Sequence, residues 1–219
     1  MGFHFVFWIT SLYYTTISNS VVLVTTQPIF VAILSHIFLK EKVNLLGFSG
    51  IILALLGTFV IARGDFALGK ENLWGDILAL LGAVMAATYL FFGRIIRQKL
   101  NLIPYIFSVY SISAVVIGII CLFYKVHIFP YPKITFLWFF LLAIVPTIIG
   151  HTLYNWALKY VKAYLVGTTT LGEPIGATIL AFLIFKESPF IETYIGGGMI
   201  LLGIYLVFRS ERFNQNPAS

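Results

Sequence analysis

Long apolar runs alternate with short polar stretches along almost the whole chain. There are eight such apolar segments, at approximately 3–16, 18–39, 44–62, 74–93, 103–124, 135–158, 164–185 and 190–208. Several reach the roughly 17–25 apolar residues that cross a bilayer as a helix. None shows the regular alternation of a transmembrane barrel strand. The pattern therefore predicts an all-α, polytopic helical membrane protein with about eight transmembrane helices.

Charged residues are scarce in this chain. They make up 10% of its 219 residues, whereas ordinary soluble domains carry about 25%. The net charge of +6 comes from Lys and Arg placed between the apolar runs rather than in one patch, which is the pattern of membrane proteins. We therefore expect a lipid bilayer as partner and no nucleic acid.

The basic residues predict the orientation of the helices. Alternate connections place nine of them on one side and five on the other. Because cytoplasmic loops are enriched in Lys and Arg, we expect the first set and both termini in the cytoplasm, with 210–219 as a short tail. The protein is then a multi-pass protein of the cell (inner or plasma) membrane. The first set is Lys40, Lys42, Arg94, Arg97, Lys99, Lys159, Lys162, Arg209 and Arg212.

The two ends of the sequence are related by a shift of 146 positions. Proline, lysine–glutamate, glycine and arginine residues coincide without a gap. The charge count places one lysine–glutamate pair on each side of the membrane, so the repeats are inverted, as in many secondary transporters. The coinciding pairs are Pro28 with Pro174, Lys40-Glu41 with Lys186-Glu187, Gly50 with Gly196, Gly57 with Gly203, and Arg63 with Arg209.

These motifs resemble the EamA-type members of the drug/metabolite transporter superfamily. The resemblance rests on the doubled proline, lysine–glutamate and glycine series and on the Glu173-Pro174 pair. It implies ten helices in two inverted halves of five (5+5) around a central substrate cavity. On that pattern, 1–63 is a partial first EamA repeat of three helices and 74–209 is a complete second repeat of five. We therefore expect a truncated product or a misassigned start that lacks the first two transmembrane helices.

Glu173 is the only acidic residue deep in an apolar segment. Because a charge at that depth is costly, such residues usually face a cavity or a partner. We predict that Glu173 carries a proton or contacts a cationic or polar substrate group; a hydrogen-bonded packing role is the alternative. Gln27 is its uncharged counterpart in the other repeat, and Thr170 shares its helix face.

Proline interrupts two segments at mirrored positions. Pro28 and Pro174 each remove a backbone N–H and release a carbonyl, which nearby threonines can satisfy. We predict that both act as gating hinges, with a static kink as the alternative.

Segment 135–158 carries a polar stripe. His151 and Asn155 are four residues apart, and Tyr154 lies between them, so all three are candidates for the cavity wall. Tyr14 and Tyr89 are further candidates for stacking on substrate. A hydrogen bond that only joins two helices is the alternative for the stripe. No helix presents two ligands at metal spacing, so we expect no metal and no cofactor.

Glycines predict close helix packing. Gly50 and Gly57, like Gly196 and Gly203, are seven residues apart and so lie on one helix face. The Gly172–Gly176 pair predicts a further close approach beside Glu173.

The sequence favours a secondary transporter of small polar or amphipathic metabolites, such as amino acids, nucleosides or drug-like compounds. It would work by alternating access across the cytoplasmic membrane, and coupling to protons and assembly as a homodimer are both left open. Two alternatives remain: an intramembrane enzyme that uses Glu173 and His151, and a truncated remnant without transport activity.

Overall fold

The computed structural model describes residues 1–63, 72–126, 130–186 and 190–215. Within these ranges the chain is helical and contains no strand. A π-helical segment, Ala143–His151, joins α7 to α8, and a 3-10 turn, Thr170–Gly172, joins α9 to α10. The α-helices are α1 (Gly2–Ser11), α2 (Ile17–Val24), α3 (Gln27–Phe38), α4 (Leu45–Ala62), α5 (Leu73–Arg97), α6 (Leu102–Phe123), α7 (Lys133–Leu142), α8 (Thr152–Ala157), α9 (Ala163–Thr169), α10 (Glu173–Phe185) and α11 (Ile191–Gln215).

In the described part of the chain, seven helical stretches are long and apolar enough to cross a membrane. They correspond to the second to eighth predicted segments, which confirms the polytopic helical class. The first segment, predicted over 3–16, is shorter: α1 ends at Ser11. The chain turns there, and Thr16 starts α2 by accepting a hydrogen bond from the Asn19 N–H at 3.1 Å, as an N-cap residue does.

Helices α4 and α11 pack antiparallel along the predicted glycine faces. A Cβ atom added to Gly50 would lie 2.6 Å from the carbonyl oxygen of Gly203, and one added to Gly203 would lie 2.5 Å from that of Gly50. Gly57 and Gly196 approach each other in the same reciprocal way. This reciprocity is what a two-fold relation between the repeats requires, and it confirms the predicted close packing.

The second glycine prediction is wrong within the chain. Among the described residues, the nearest atom to a Cβ added to Gly172 is Ile204 Cδ1 at 3.9 Å, and none lies within 4 Å of one added to Gly176. Helix α10 makes its principal contacts with α11 and the 3-10 turn before it. Spacing alone suggested a contact, but no described helix lies against that face.

Helix α5 is the centre of the bundle and packs against α1, α2, α3 and α9. Small buried residues, among them Gly75, Gly82 and Ala83, let the neighbouring backbones come close. His4 of α1 is fixed there by a 2.9 Å hydrogen bond between its Nδ1 and the Gly82 carbonyl oxygen. α6 and α7 lie at the periphery with mostly exposed apolar side chains, as expected of lipid-facing helices.

Ion pairs, and hydrogen bonds from basic side chains to backbone carbonyls, lie at one end of the bundle, which we call the basic end. Arg94 Nε lies 3.2 Å from Glu41 Oε1, and Lys162 Nζ lies 2.7 Å from Glu211 Oε1. The opposite end carries the exposed Arg63, whose Nη2 is 3.8 Å from Glu192 Oε1. Basic residues that the sequence placed on one side thus share one end of the structure.

The repeated Lys40 and Lys186 have a shared structural role. Both adopt the left-handed conformation, with φ of 56° and 60°, at the ends of α3 and α10, the two helices that carry a mirrored proline in their first turn. This conformation ends a helix and is uncommon for a residue with a Cβ. The two repeated lysines therefore hold the same structural place, at the C-terminal end of a helix.

Candidate functional site

Two interrupted helices meet inside the bundle. The span Ile17–Phe38 is broken between α2 and α3, and the span Ala163–Ile184 is broken at the 3-10 turn. Gln27 Nε2 donates to Thr170 Oγ1 across the two breaks at 2.6 Å. These residues are 143 positions apart, so the bond joins the two broken spans.

Threonine side chains satisfy carbonyls at both breaks, but these are not the carbonyls of Val24 and Thr170, four residues before each proline, that the sequence predicted. The Thr26 hydroxyl donates to the Leu23 carbonyl at 2.6 Å, and the Thr170 hydroxyl donates to the Gly167 carbonyl at 2.7 Å. Such bonds make irregular backbone tolerable at membrane depth. Since Thr170 Oγ1 gives its proton to Gly167, it accepts the bond from Gln27.

The mirrored prolines begin helices rather than interrupting them. Pro28 is the second residue of α3, and Pro174 is the second residue of α10. A proline is well tolerated in a first helical turn, where its missing N–H would have no helical partner. The predicted kinks therefore correspond to breaks before each proline, while the hinge role stays a prediction.

Glu173 opens α10 and is joined to α8. The Tyr154 hydroxyl donates to Glu173 Oε1 at 3.3 Å, and the Glu173 side chain is exposed. A carboxylate in the first turn of a helix is also favoured by the helix dipole, which gives this residue a structural reason beside any functional one.

The polar stripe of the π-helical segment and α8 is held against α5. The Tyr89 hydroxyl donates to Asn155 Oδ1 at 2.6 Å, and Asn155 is fully buried. The ring of His151 has edge-on contacts with Phe5, Tyr89 and Tyr154, with centroids 5.5, 6.1 and 6.1 Å away. Two buried nitrogens, His151 Nδ1 and Asn155 Nδ2, have no hydrogen-bond partner in the described structure.

Most of the predicted site residues thus fall into two joined groups. His151, Asn155 and Tyr89 form the first, while Tyr154 connects that stripe to Glu173 at the start of α10. Gln27 and Thr170 form the second group, one helical turn before Glu173.

Tyr14 is the exception among the predicted site residues. It lies beside Gly75 at the start of α5 and is half exposed. Fourteen residues of α5 separate Gly75 from Tyr89, a distance of roughly 21 Å at 1.5 Å per residue. The structure does not bring Tyr14 to the other candidates.

Sequence reasoning missed two residues at this site. Phe5 packs its ring on His151, and Arg97 donates from Nε to the Asn155 carbonyl at 2.9 Å. A phenylalanine in an apolar run carries no distinguishing signal. Arg97 did carry a signal in the sequence, because no proline or glycine separates it from the end of the predicted segment 74–93. The charge count had nevertheless assigned it to a loop.

Two surface cavities lie at the basic end. They measure about 380 and 350 Å³, and both are lined by Arg94. Glu41 lines the first and Glu211 the second. Buried polar pairs and unpartnered nitrogens are the stronger indication of a site in a membrane protein, so we place the candidate site at Asn155 and Glu173.

Taken together, the helices define a polytopic membrane protein with interrupted helices at its centre, the architecture of many secondary transporters. The sequence pattern of the EamA-like transporter family matches residues 1–63 and 73–209. The chain belongs to the EamA-like transporter family.

Relatives and a solved structure agree with this membership. An uncharacterized transporter of Archaeoglobus fulgidus is 29% identical over 87% of this chain and 67% of its own length. The uncharacterized transporter YetK of Bacillus subtilis is 26% identical over 98% of this chain and 68% of its own length. A solved crystal structure superposes with a TM-score of 0.82 at 18% identity, over 96% of this chain and 74% of that one, and so shares the fold. Transport is therefore the general function of this chain.

Proposed function

We propose that this chain moves small polar or amphipathic metabolites, such as amino acids, nucleosides or drug-like molecules, across the cytoplasmic membrane by alternating access. The observation that carries the proposal is the Gln27–Thr170 bond between the two helix breaks. Transporters commonly bind substrate where interrupted helices of two repeats meet. The polar stripe on the π-helical segment and α8 is connected to this junction by the hydrogen bond between Tyr154 and Glu173.

The proposed substrate site offers three kinds of contact. Glu173 supplies an exposed carboxylate for a cationic or polar group, or for a proton in a coupled cycle. Asn155 and His151 supply nitrogens that have no partner in the described structure. Tyr89 and Tyr154 supply rings on which an amphipathic substrate can stack. Tyr14 lies too far along α5 to join them.

The test is uptake by the full chain in proteoliposomes. Labelled pools of amino acids, nucleosides and organic cations would be supplied with and without an imposed pH gradient. We expect uptake of at least one pool that falls at least tenfold in Asn155→Leu, while the exposed Tyr13→Phe keeps the wild-type rate. Folded wild-type protein that transports none of the pools would contradict the proposal.

Proton coupling is tested separately in the same vesicles. In the proposed cycle, Glu173→Gln removes the dependence of uptake on the pH gradient because the amide cannot carry the proton. A Glu173→Gln chain whose uptake keeps the wild-type pH dependence would exclude the proton role and leave the substrate site standing.

A further inference from the structure

Arg97 is a buried arginine at the end of α5, with 2% of its surface exposed. Its Nε donates to the Asn155 carbonyl at 2.9 Å, and its Nη1 donates to the Leu100 carbonyl. A buried guanidinium is costly in a membrane protein and usually has a function that its partner reveals. Here one partner is the main chain of a residue in the candidate site.

The same helix binds Asn155 a second time. Tyr89 lies eight residues before Arg97 on α5, and its hydroxyl donates to Asn155 Oδ1 at 2.6 Å. Helix α5 therefore holds both the backbone and the side chain of Asn155. Because Oδ1 is committed to Tyr89, the direction of the unpartnered Nδ2 is fixed.

Arg94 provides the comparison that separates positioning from helix capping. Its Nη1 donates to the Leu158 and Lys159 carbonyls at 2.9 and 3.0 Å. It therefore binds the same end of the same helix as Arg97, where carbonyls lack helical partners and cations are favoured. In the described structure its bonds go to Glu41, Leu158 and Lys159, whereas Arg97 bonds Asn155.

We propose that Arg97 is a positioning residue: through the Asn155 carbonyl it holds the Asn155 amide against Tyr89, with Nδ2 directed at an oxygen acceptor of the substrate. The substrate part of this inference rests on the proposed transport function, whereas the positioning part does not. Arg97 acts through Asn155 and need not touch the substrate itself.

The positioning part is tested by NMR on the full chain in lipid nanodiscs, labelled with ¹⁵N only at asparagine. The chain has seven asparagines, and Asn155→Asp assigns the side-chain amide of Asn155 by its loss. We expect Arg97→Gln to shift or broaden that amide pair, as Tyr89→Phe does from the other side. Arg97→Lys should restore part of the wild-type signal, and Arg94→Gln should leave it unchanged.

Two NMR results would overturn the positioning role. One is an Asn155 amide signal that is the same in Arg97→Gln, Arg97→Lys and wild type. The other is an equal disturbance by Arg94→Gln, which would show helix capping alone. If Arg97→Gln does not fold, Arg97→Lys and Tyr89→Phe decide between these outcomes.

The functional part uses the labelled compound that the proteoliposome assay shows to be transported. We expect Arg97→Gln to raise KM about tenfold, the equivalent of one lost hydrogen bond of ~1.4 kcal/mol, with Vmax within about twofold of wild type. An unchanged KM together with a disturbed Asn155 amide would show that Asn155 does not contact that compound. Absence of any transport would count against the proposed function, while the NMR result on positioning would stand.

Discussion

Asn155 is the residue on which the site depends most. It is fully buried, its Oδ1 accepts from Tyr89, and its Nδ2 has no partner in the described structure. An unpaired buried polar group costs about 1–3 kcal/mol. A ligand that accepts a hydrogen bond from Asn155 Nδ2 would remove this cost, which gives a reason for keeping the unpaired group in the interior.

Removing the Tyr89 hydroxyl tests this description at the level of one hydrogen bond. Tyr89→Phe leaves Asn155 Oδ1 buried without its donor, so we expect a loss of about 1–3 kcal/mol in the free energy of unfolding. The measurement is a denaturant titration in mixed micelles. The matched control is Tyr13→Phe, because Tyr13 is 83% exposed. Equal stability of both variants would contradict the bond.

At the scale of helices, the close packing of α4 and α11 depends on residues without a side chain. Gly50→Ala would place a methyl carbon 2.6 Å from the Gly203 carbonyl oxygen. Since that atom belongs to the backbone, the helices must separate, at a cost of about 1–3 kcal/mol. The measurement is thermal unfolding of the purified protein.

Gly118→Ala is the control for this substitution. Gly118 lies in α6, and no atom of the described part of the chain lies within 4 Å of a Cβ added there. Because alanine favours a helix over glycine by about 1 kcal/mol, this variant should be as stable as wild type or more so. A Gly50→Ala protein that unfolds at the temperature of the Gly118→Ala protein would exclude tight packing at Gly50.

The junction of the two broken spans is tested by a double-mutant cycle. Gln27→Leu, Thr170→Val and the double variant isolate the energy of the Gln27–Thr170 bond. Side-chain hydrogen bonds between membrane helices average about 0.6 kcal/mol and reach about 1.7, and we expect a coupling in that range because Thr170 is buried. Additive single effects would show that the bond does not hold the repeats together.

Much of this arrangement of helices could be predicted from the sequence. Proline and glycine have few substitutes where a helix starts or two backbones touch, so their repetition at a spacing of 146 pointed to the two helix breaks and to the close glycine packing. The glycine faces predicted close packing, while the pairing of Gly50 with Gly203 is known only from the structure. The close helix approach predicted from the Gly172–Gly176 spacing was wrong, because a glycine face makes such a contact only where another helix lies against it.

Partners of polar side chains were harder to predict. Tyr89 and Asn155 were separate candidates, but nothing in a run of aromatic residues shows that one bonds the other 66 positions away. Tyr14 had the same chemistry as Tyr89 and lies at the other end of α5. Arg97 was counted as a loop charge because the sequence does not show that its guanidinium folds back onto α8.

For the whole molecule, the Glu41–Arg94 pair connects the segment after α3 to α5 at the basic end. Arg94 also holds the end of α8 through the Leu158 and Lys159 carbonyls. In the proposed alternating-access cycle, Glu41 and Arg94 would have to separate for that end to open. We therefore expect Glu41→Gln to increase access to the site from the basic end.

The measurement is the rate at which an impermeant thiol reagent reacts with one introduced cysteine. Cys121→Ser removes the only native thiol, and Thr169→Cys then adds one beside the Tyr154 hydroxyl. Glu41→Gln should raise the rate from the basic side severalfold. Glu192→Gln, which breaks the ion pair with Arg63 at the opposite end, should not, and equal effects of both would refute the role of Glu41.

The same Thr169→Cys reporter tests the central claim, that the Asn155–Glu173 site is reached from both sides of the membrane. The reagent is applied to right-side-out and inside-out vesicles of the Cys121→Ser chain. Phe139→Cys, on the exposed face of α7, is the comparison and should react only with a lipid-soluble reagent. Alternating access predicts that the thiol at position 169 reacts with the impermeant reagent from each side; reaction from one side alone, or with the lipid-soluble reagent alone, would contradict it.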